Sequence, residues 1–223
     1  MNTLGLQLQT YLLTKEEERN QSWDEGFFKL FSESSLLILA DDPQQGPDGW
    51  PYLLCETTTE PKTEDNKIDS AQKILHWLST RGIGLVVNPK KLPYPDYIFS
   101  YGMIWSFRET GYFIKYQNTN TNKQIVIDKN SEIMTGPPSR EYFPTYVRSL
   151  IKDFLRDQNV LDARVLMIST DGENYDLCFS LESLGSPPEA EHEGILEAFS
   201  WFLPPHYSVA VVSEKIFHGF ASL

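Results

Sequence analysis

The sequence predicts an α+β fold: two small mixed α/β domains, residues 1–135 and 136–223, each with helices packed on a central β-sheet. Three observations carry this. Short apolar runs at 34–40 and 83–87 have the length of buried strands. Before, between and after them lie stretches whose apolar residues recur three and four positions apart, the spacing of one helix face. Gly136-Pro137-Pro138 then breaks the chain with residues that suit neither a helix interior nor a central strand. At 223 residues, 40% apolar and 22% charged, the chain has a globular composition and room for two such units.

In chain order, Leu4, Leu6 and Leu8 alternate, and Tyr11, Leu12 and Leu13 then break the alternation, so strand and helix both stay open for 4–13. Thr14 followed by Glu16, Glu17 and Glu18 is a helix-start signal, because carboxylates favour the free N–H end. Trp23, Phe27, Phe28, Leu30 and Phe31 form the apolar face of the helix that follows. The run 34–40 suits a strand buried on both faces. Residues 41–49, Asp-Asp-Pro-Gln-Gln-Gly-Pro-Asp-Gly, form a turn-rich loop. A calcium loop starting at Asp41 or Asp42 would need glutamate at its twelfth position, where Tyr52 or Leu53 stands.

A second strand is expected at 52–55 and a polar loop at 56–67. A helix capped by Asp69 or Ser70 then carries Ala71, Ile74, Leu75 and Leu78 inward. Strand 83–87 stops at Asn88-Pro89, and an aromatic segment begins, capped by Ser100 and ended by Gly111. Residues 113–116 and 124–127 read as a hairpin. Beyond Gly136, Tyr146, Val147, Leu150, Ile151, Phe154 and Leu155 make a wide helical stripe. Strands at 163–168 and 175–181 flank an Asp171-Gly172 turn. Pro187-Pro188 opens a helix carrying Ile195, Leu196, Phe199 and Phe202 inward. Pro204-Pro205 stops it before a last strand at 209–212.

Charge narrows the partners. The net charge is −12, with 13 basic against 18 acidic residues in 1–135 and 6 against 13 in 136–223. Neither half is a basic arm, so nucleic-acid and membrane partners are not expected; the charge fits a soluble protein, or one whose protein partner is basic. The start lacks a positively charged, apolar leader, and no window has the roughly 20 apolar residues of a membrane span. A cytoplasmic location is the expectation, with Cys55 and Cys178 as buried thiols in a reducing compartment.

Catalytic patterns are missing. There is no Gly-x-Ser-x-Gly elbow and no Gly-Lys-Ser/Thr phosphate loop, and Gly82-Ile83-Gly84 precedes its strand instead of following it. His76, His192, His206 and His218 do not pair at metal spacing, and the carboxylates around His192 suit a first helical turn. No catalytic, cofactor or metal residue is nominated, and no cofactor is expected. The aromatic-rich segment supplies the candidate partner-binding residues Tyr94, Tyr97, Tyr101, Trp105 and Arg108, because rigid rings are enriched at interfaces. Core packing is the competing use of the same rings.

The strand ending in Asn88-Pro89, the Gly136-Pro137-Pro138 entry and the strand start Val160-Leu161-Asp162-Ala163 together resemble the two-domain SseB family, named for enhanced serine sensitivity. The resemblance spans most of the chain, with 102–113 richer in aromatics than the family pattern. It implies a role without established catalytic residues. The expected function is non-enzymatic binding or regulation through protein–protein contacts. Two alternatives stand beside it. One is a secretion chaperone or immunity-type protein that neutralises a basic partner; the other is a hydrolase built from scattered residues such as His76, His206 and Cys55.

Overall fold

The computed structural model describes residues 3–64, 66–116 and 133–223. The chain divides into compact units 1–116 and 117–223. Both are mixed α+β layers.

In unit 1, 4–13 resolves as a helix, α1 (Thr3–Tyr11), which buries Leu8 and continues to a buried Leu12. The expected helix start at Thr14 is corrected. Glu16–Glu18 make only a 3-10 turn, and α2 (Gln21–Glu33) begins six residues later than Thr14 would place its cap. Asn20 is the cap, its side chain accepting from the Trp23 N–H at 3.1 Å. A carboxylate run favours a helix start electrostatically, but the cap goes to the residue whose oxygen reaches the free amides.

Six strands follow: β1 (Ser35–Ile38), β2 (Gln44–Gln45), β3 (Pro51–Thr57), β4 (Ile68–Ser70), β5 (Gly84–Val87) and β6 (Tyr97–Phe99). The main sheet runs β4-β1-β3-β5-β6, with β2 paired to β3. β3 and β5 are parallel; the other neighbours are antiparallel. Helix α3 (Ala71–Leu78), capped by Ser70, connects the parallel pair, and α4 (Tyr101–Thr110) follows β6. Ser100 caps α4, and Gly111 ends it at φ 78°. The register aligns Leu53 with Leu85 and Cys55 with Val87, and Leu85 with Phe99. Those side chains share one face, where they meet Phe27, Phe31 and Ile74 of the helices in a single core. β1 buries only Leu36 fully, so the expectation of a strand buried on both faces is corrected; one sheet face carries the helices.

α1 lies close enough to the strand end that a Cβ on Gly5 would stand 2.1 Å from the Thr58 carbonyl oxygen. Helix propensity alone makes Gly5→Ala stabilising by about 1 kcal/mol. The backbone clash reverses the sign. The expected result is a loss of about 2 kcal/mol, limited because α1 can lift off, and seen as faster hydrogen exchange of α1 amides. A more stable Gly5→Ala protein would contradict the close docking.

Unit 2 contains β7 (Met134–Gly136), α5 (Thr145–Asp157), β8 (Arg164–Ser169), β9 (Asp176–Ser180), α6 (Glu189–Phe202), β10 (Ser208–Val212) and β11 (Ala221–Ser222). Its sheet runs β10-β9-β8-β11, with β7 paired to β8. The boundary expected at Gly136 falls at the end of β7. The expected hairpin at 113–116 and 124–127 lies in part outside the described residues, and 113–116 carry no strand. The β8–β9 hairpin forms, with Gly172 at φ 78°. Asp171 accepts from the Glu173 and Asn174 amides at 2.9 and 2.8 Å, which hold its carboxyl well below the usual range. Phe179 stacks on Phe199 of α6 at 3.8 Å, so α6 covers one sheet face. On the other face Leu166, Ile168 and Cys178 pack with Phe217 and Phe220.

The two units share a topology. α2–β1–β3–α3–β5 and α5–β8–β9–α6–β10 have the same element order: first strand pair antiparallel, second strand pair parallel.

Candidate contact surface at the 88–98 loop

At the carboxyl end of the parallel pair β3 and β5, the chain turns at Asn88. Asn88 sits at φ 53°, a conformation asparagine tolerates better than most side chains. Its Oδ1 accepts from the Thr57 N–H at 2.9 Å, and its Nδ2 donates to Asp96 Oδ2 at 2.7 Å. The side chain therefore joins the end of β3 to the far end of the 88–96 loop.

Asp96 is 8% exposed. Its Oδ1 takes the Lys91 ammonium, and Arg19 lies 3.9 Å from the same oxygen. Arg19 also donates to the Asp96 carbonyl at 2.9 Å and lies over the Trp23 ring at 4.4 Å. A nearly buried carboxylate is tolerated only where charge and hydrogen bonds replace water. Here Lys91, within the loop, and Arg19, from the segment before α2, do so. The loop is thus fastened at its base, while its crest projects Leu92 at 88% and Tyr94 at 70% exposure. Ile98 of β6 follows, half exposed, on the sheet face away from the helices.

The five nominated residues separate. Tyr94 is exposed. Tyr97 turns its ring into the core, 4.7 Å from Phe27 and from Phe99, and burial pushes its phenol well above the ordinary range. Tyr101 is fully buried and donates to the Ser79 carbonyl at 2.8 Å. Trp105 is 2% exposed. Arg108 donates to Ser79 Oγ at 3.2 Å and pairs with Glu109 at 3.4 Å. Burial removes Tyr101 and Trp105 from any surface of the folded unit, a correction to their nomination. α4 turns them inward because it lies across β5 and β6 and packs on α3. Tyr101 and Arg108 both tie α4 to the end of α3.

Sequence reading missed Arg19, Lys91 and Asp96, and used Asn88 as a strand terminator and as part of the family resemblance, without a role in the loop. Asn-Pro after a buried strand was the available signal, since asparagine is favoured where φ is positive.

The scattered residues of the hydrolase alternative do not assemble within unit 1. Cys55 is fully buried in β3, its thiol pushed up to about 12 by burial, and His76 lies on the exposed side of α3. Burial likewise raises Cys178 to about 12. Among the described residues no three His, Cys, Asp or Glu side chains gather as metal ligands, and no helix is long and apolar enough to cross a membrane.

No protein-family model matches the chain, and no curated protein matches its sequence.

Proposed function

We propose that the chain is a non-enzymatic binding or regulatory protein that acts through protein–protein contacts, with the 88–98 loop of unit 1 as its contact surface. One observation carries the reading: an exposed leucine and tyrosine stand on a loop whose base is pinned by the near-buried Asp96. Rigid apolar anchors lose little conformational freedom on binding, which is how preorganised interfaces gain affinity. Asn88-Pro89, part of the resemblance to the SseB family, is the anchor of this loop, so the resemblance and the surface coincide in place.

Capture from a lysate of the source organism tests it, using wild type, Leu92→Asp with Tyr94→Ser, and a control at the equally exposed Leu161 (82%), Leu161→Asp. The expected result is one partner held by wild type and the control and reduced at least tenfold in the double variant, with thermal stability unchanged. Equal capture by all three would remove the loop from the function.

A further inference from the structure

The shared topology exposes a difference between the units. In unit 1 the last strand of the common core, β5, is covered on its outer side by β6, antiparallel, with Leu85 opposite Phe99 and Val87 opposite Tyr97. In unit 2 the corresponding strand is β10, and it ends the sheet: among the described residues nothing pairs with its outer side. The Leu181 amide donates to the Val212 carbonyl at 3.0 Å, so Val212 and, by strand alternation, Ala210 and Ser208 turn their backbone groups toward β9. Val209 and Val211 turn theirs outward.

Among the described residues this edge lacks the usual protection. β4 and β6, the edges of unit 1, are three residues long, and β4 carries Asp69 paired with Lys62 and Lys73. β10 has five residues, Ser-Val-Ala-Val-Val, with no charge and no proline. Open apolar edges of this kind pair readily with another strand.

Charge selects the occupant. Residues 117–223 hold 8 basic against 15 acidic residues. Helix α6, which packs on β10, carries exposed Glu189, Glu191, Glu193 and Glu197 and no lysine or arginine. That field repels a second copy of the same acidic unit and attracts a cationic segment. From the edge left open among the described residues, where no counterpart of β6 stands, and from the acidic helix, we infer that β10 takes an extended basic segment of a partner protein as an added antiparallel strand. Basic side chains of that segment lie on the α6 side, toward the glutamates, and the alternate apolar ones lie on the opposite face, beside Ala210 and Val212. This site is separate from the 88–98 loop and stands or falls independently of it.

The test uses the full chain and a capped ten-residue peptide of alternating valine and lysine. Binding is read by titration and by hydrogen exchange at the Val209 and Val211 amides. Expected are micromolar binding that weakens with salt, peptide-dependent protection of those two amides, and no binding of a valine–glutamate peptide. Val211→Pro removes only an outward N–H, a position where an edge strand tolerates proline. It should lower affinity at least tenfold while leaving the melting temperature within a few degrees. Glu191→Lys with Glu193→Lys, both exposed, should lower affinity severalfold without touching the edge. The inference is overturned by absent binding, by equal binding of the acidic peptide, or by affinity indifferent to both variants. It is overturned equally by concentration-dependent self-association through β10, or by amides already protected without peptide.

Discussion

Replacing Phe27 with alanine is expected to destabilise unit 1 by about 3–5 kcal/mol, lowering its melting temperature by about 10–20 °C. Phe27 is fully buried, with ring centroids 4.9 Å from Trp23, 5.7 Å from Phe31 and 4.7 Å from Tyr97. The loss has two parts, the transfer free energy of the ring and the void it leaves. These neighbours are rigid rings fixed to two different elements, α2 and β6, so the void cannot close by a rotamer change. That places the effect toward the upper end of the range. Phe27→Leu, which keeps more of the volume, should lose about 1–2 kcal/mol. Denaturant unfolding followed by tryptophan fluorescence reads both, since Trp23 stacks directly on the altered ring. A Phe27→Ala loss below about 1 kcal/mol would show that the ring cluster is loosely packed.

Asp96→Ala should be nearly as damaging, about 2–4 kcal/mol, for a different reason. The substitution removes little apolar contact. It leaves the Arg19 guanidinium, whose side chain is 16% exposed, beside a space with no counter-charge, and it takes from the Asn88 amide its shorter acceptor, leaving Thr57 Oγ1 at 3.3 Å. Lys91, 46% exposed, can return to water, so Lys91→Met should lose under about 1 kcal/mol. The contrast between those two variants separates a buried charge network from an ordinary surface pair. Asp96→Ala should also weaken binding at the 88–98 loop more than its distance from Tyr94 suggests, because the loop base comes unfastened. Equal stability of the Asp96→Ala and Lys91→Met proteins would place the carboxylate effectively in solvent.

The main helices were legible because their signals are local. The apolar faces of α2, α3 and α5 recur every three or four residues, and Ser100 and Gly111 mark the ends of α4 by chemistry confined to one turn. Asn20 was harder. Its side chain competes for a role that the three glutamates and Thr14 also signal, and only the direction in which the chain enters the helix decides between them. β2, β4, β6, β7 and β11 are two or three residues long and carry no periodicity of their own; they are strands because a longer neighbour offers them a ladder.

Burial within the aromatic segment was not legible either. Tyr94, Tyr101 and Trp105 are similar residues a few positions apart, yet one is 70% exposed and the others are sealed. Composition says that rings are abundant, and the packing of α4 on α3 and β5 says which way each one faces.

What the sequence by itself determined is the α+β class, the positions of the principal helices and buried strands, and an acidic surface, since propensity, spacing and charge are properties of neighbouring residues and of totals. The tertiary structure alone decided the rest. It brought Arg19 to Asp96 across 77 positions, covered β5 with β6, and left the outer side of β10 open among the described residues. Such pairings depend on where distant segments meet once water is expelled between them, and a linear order of residues does not encode that separately from the fold.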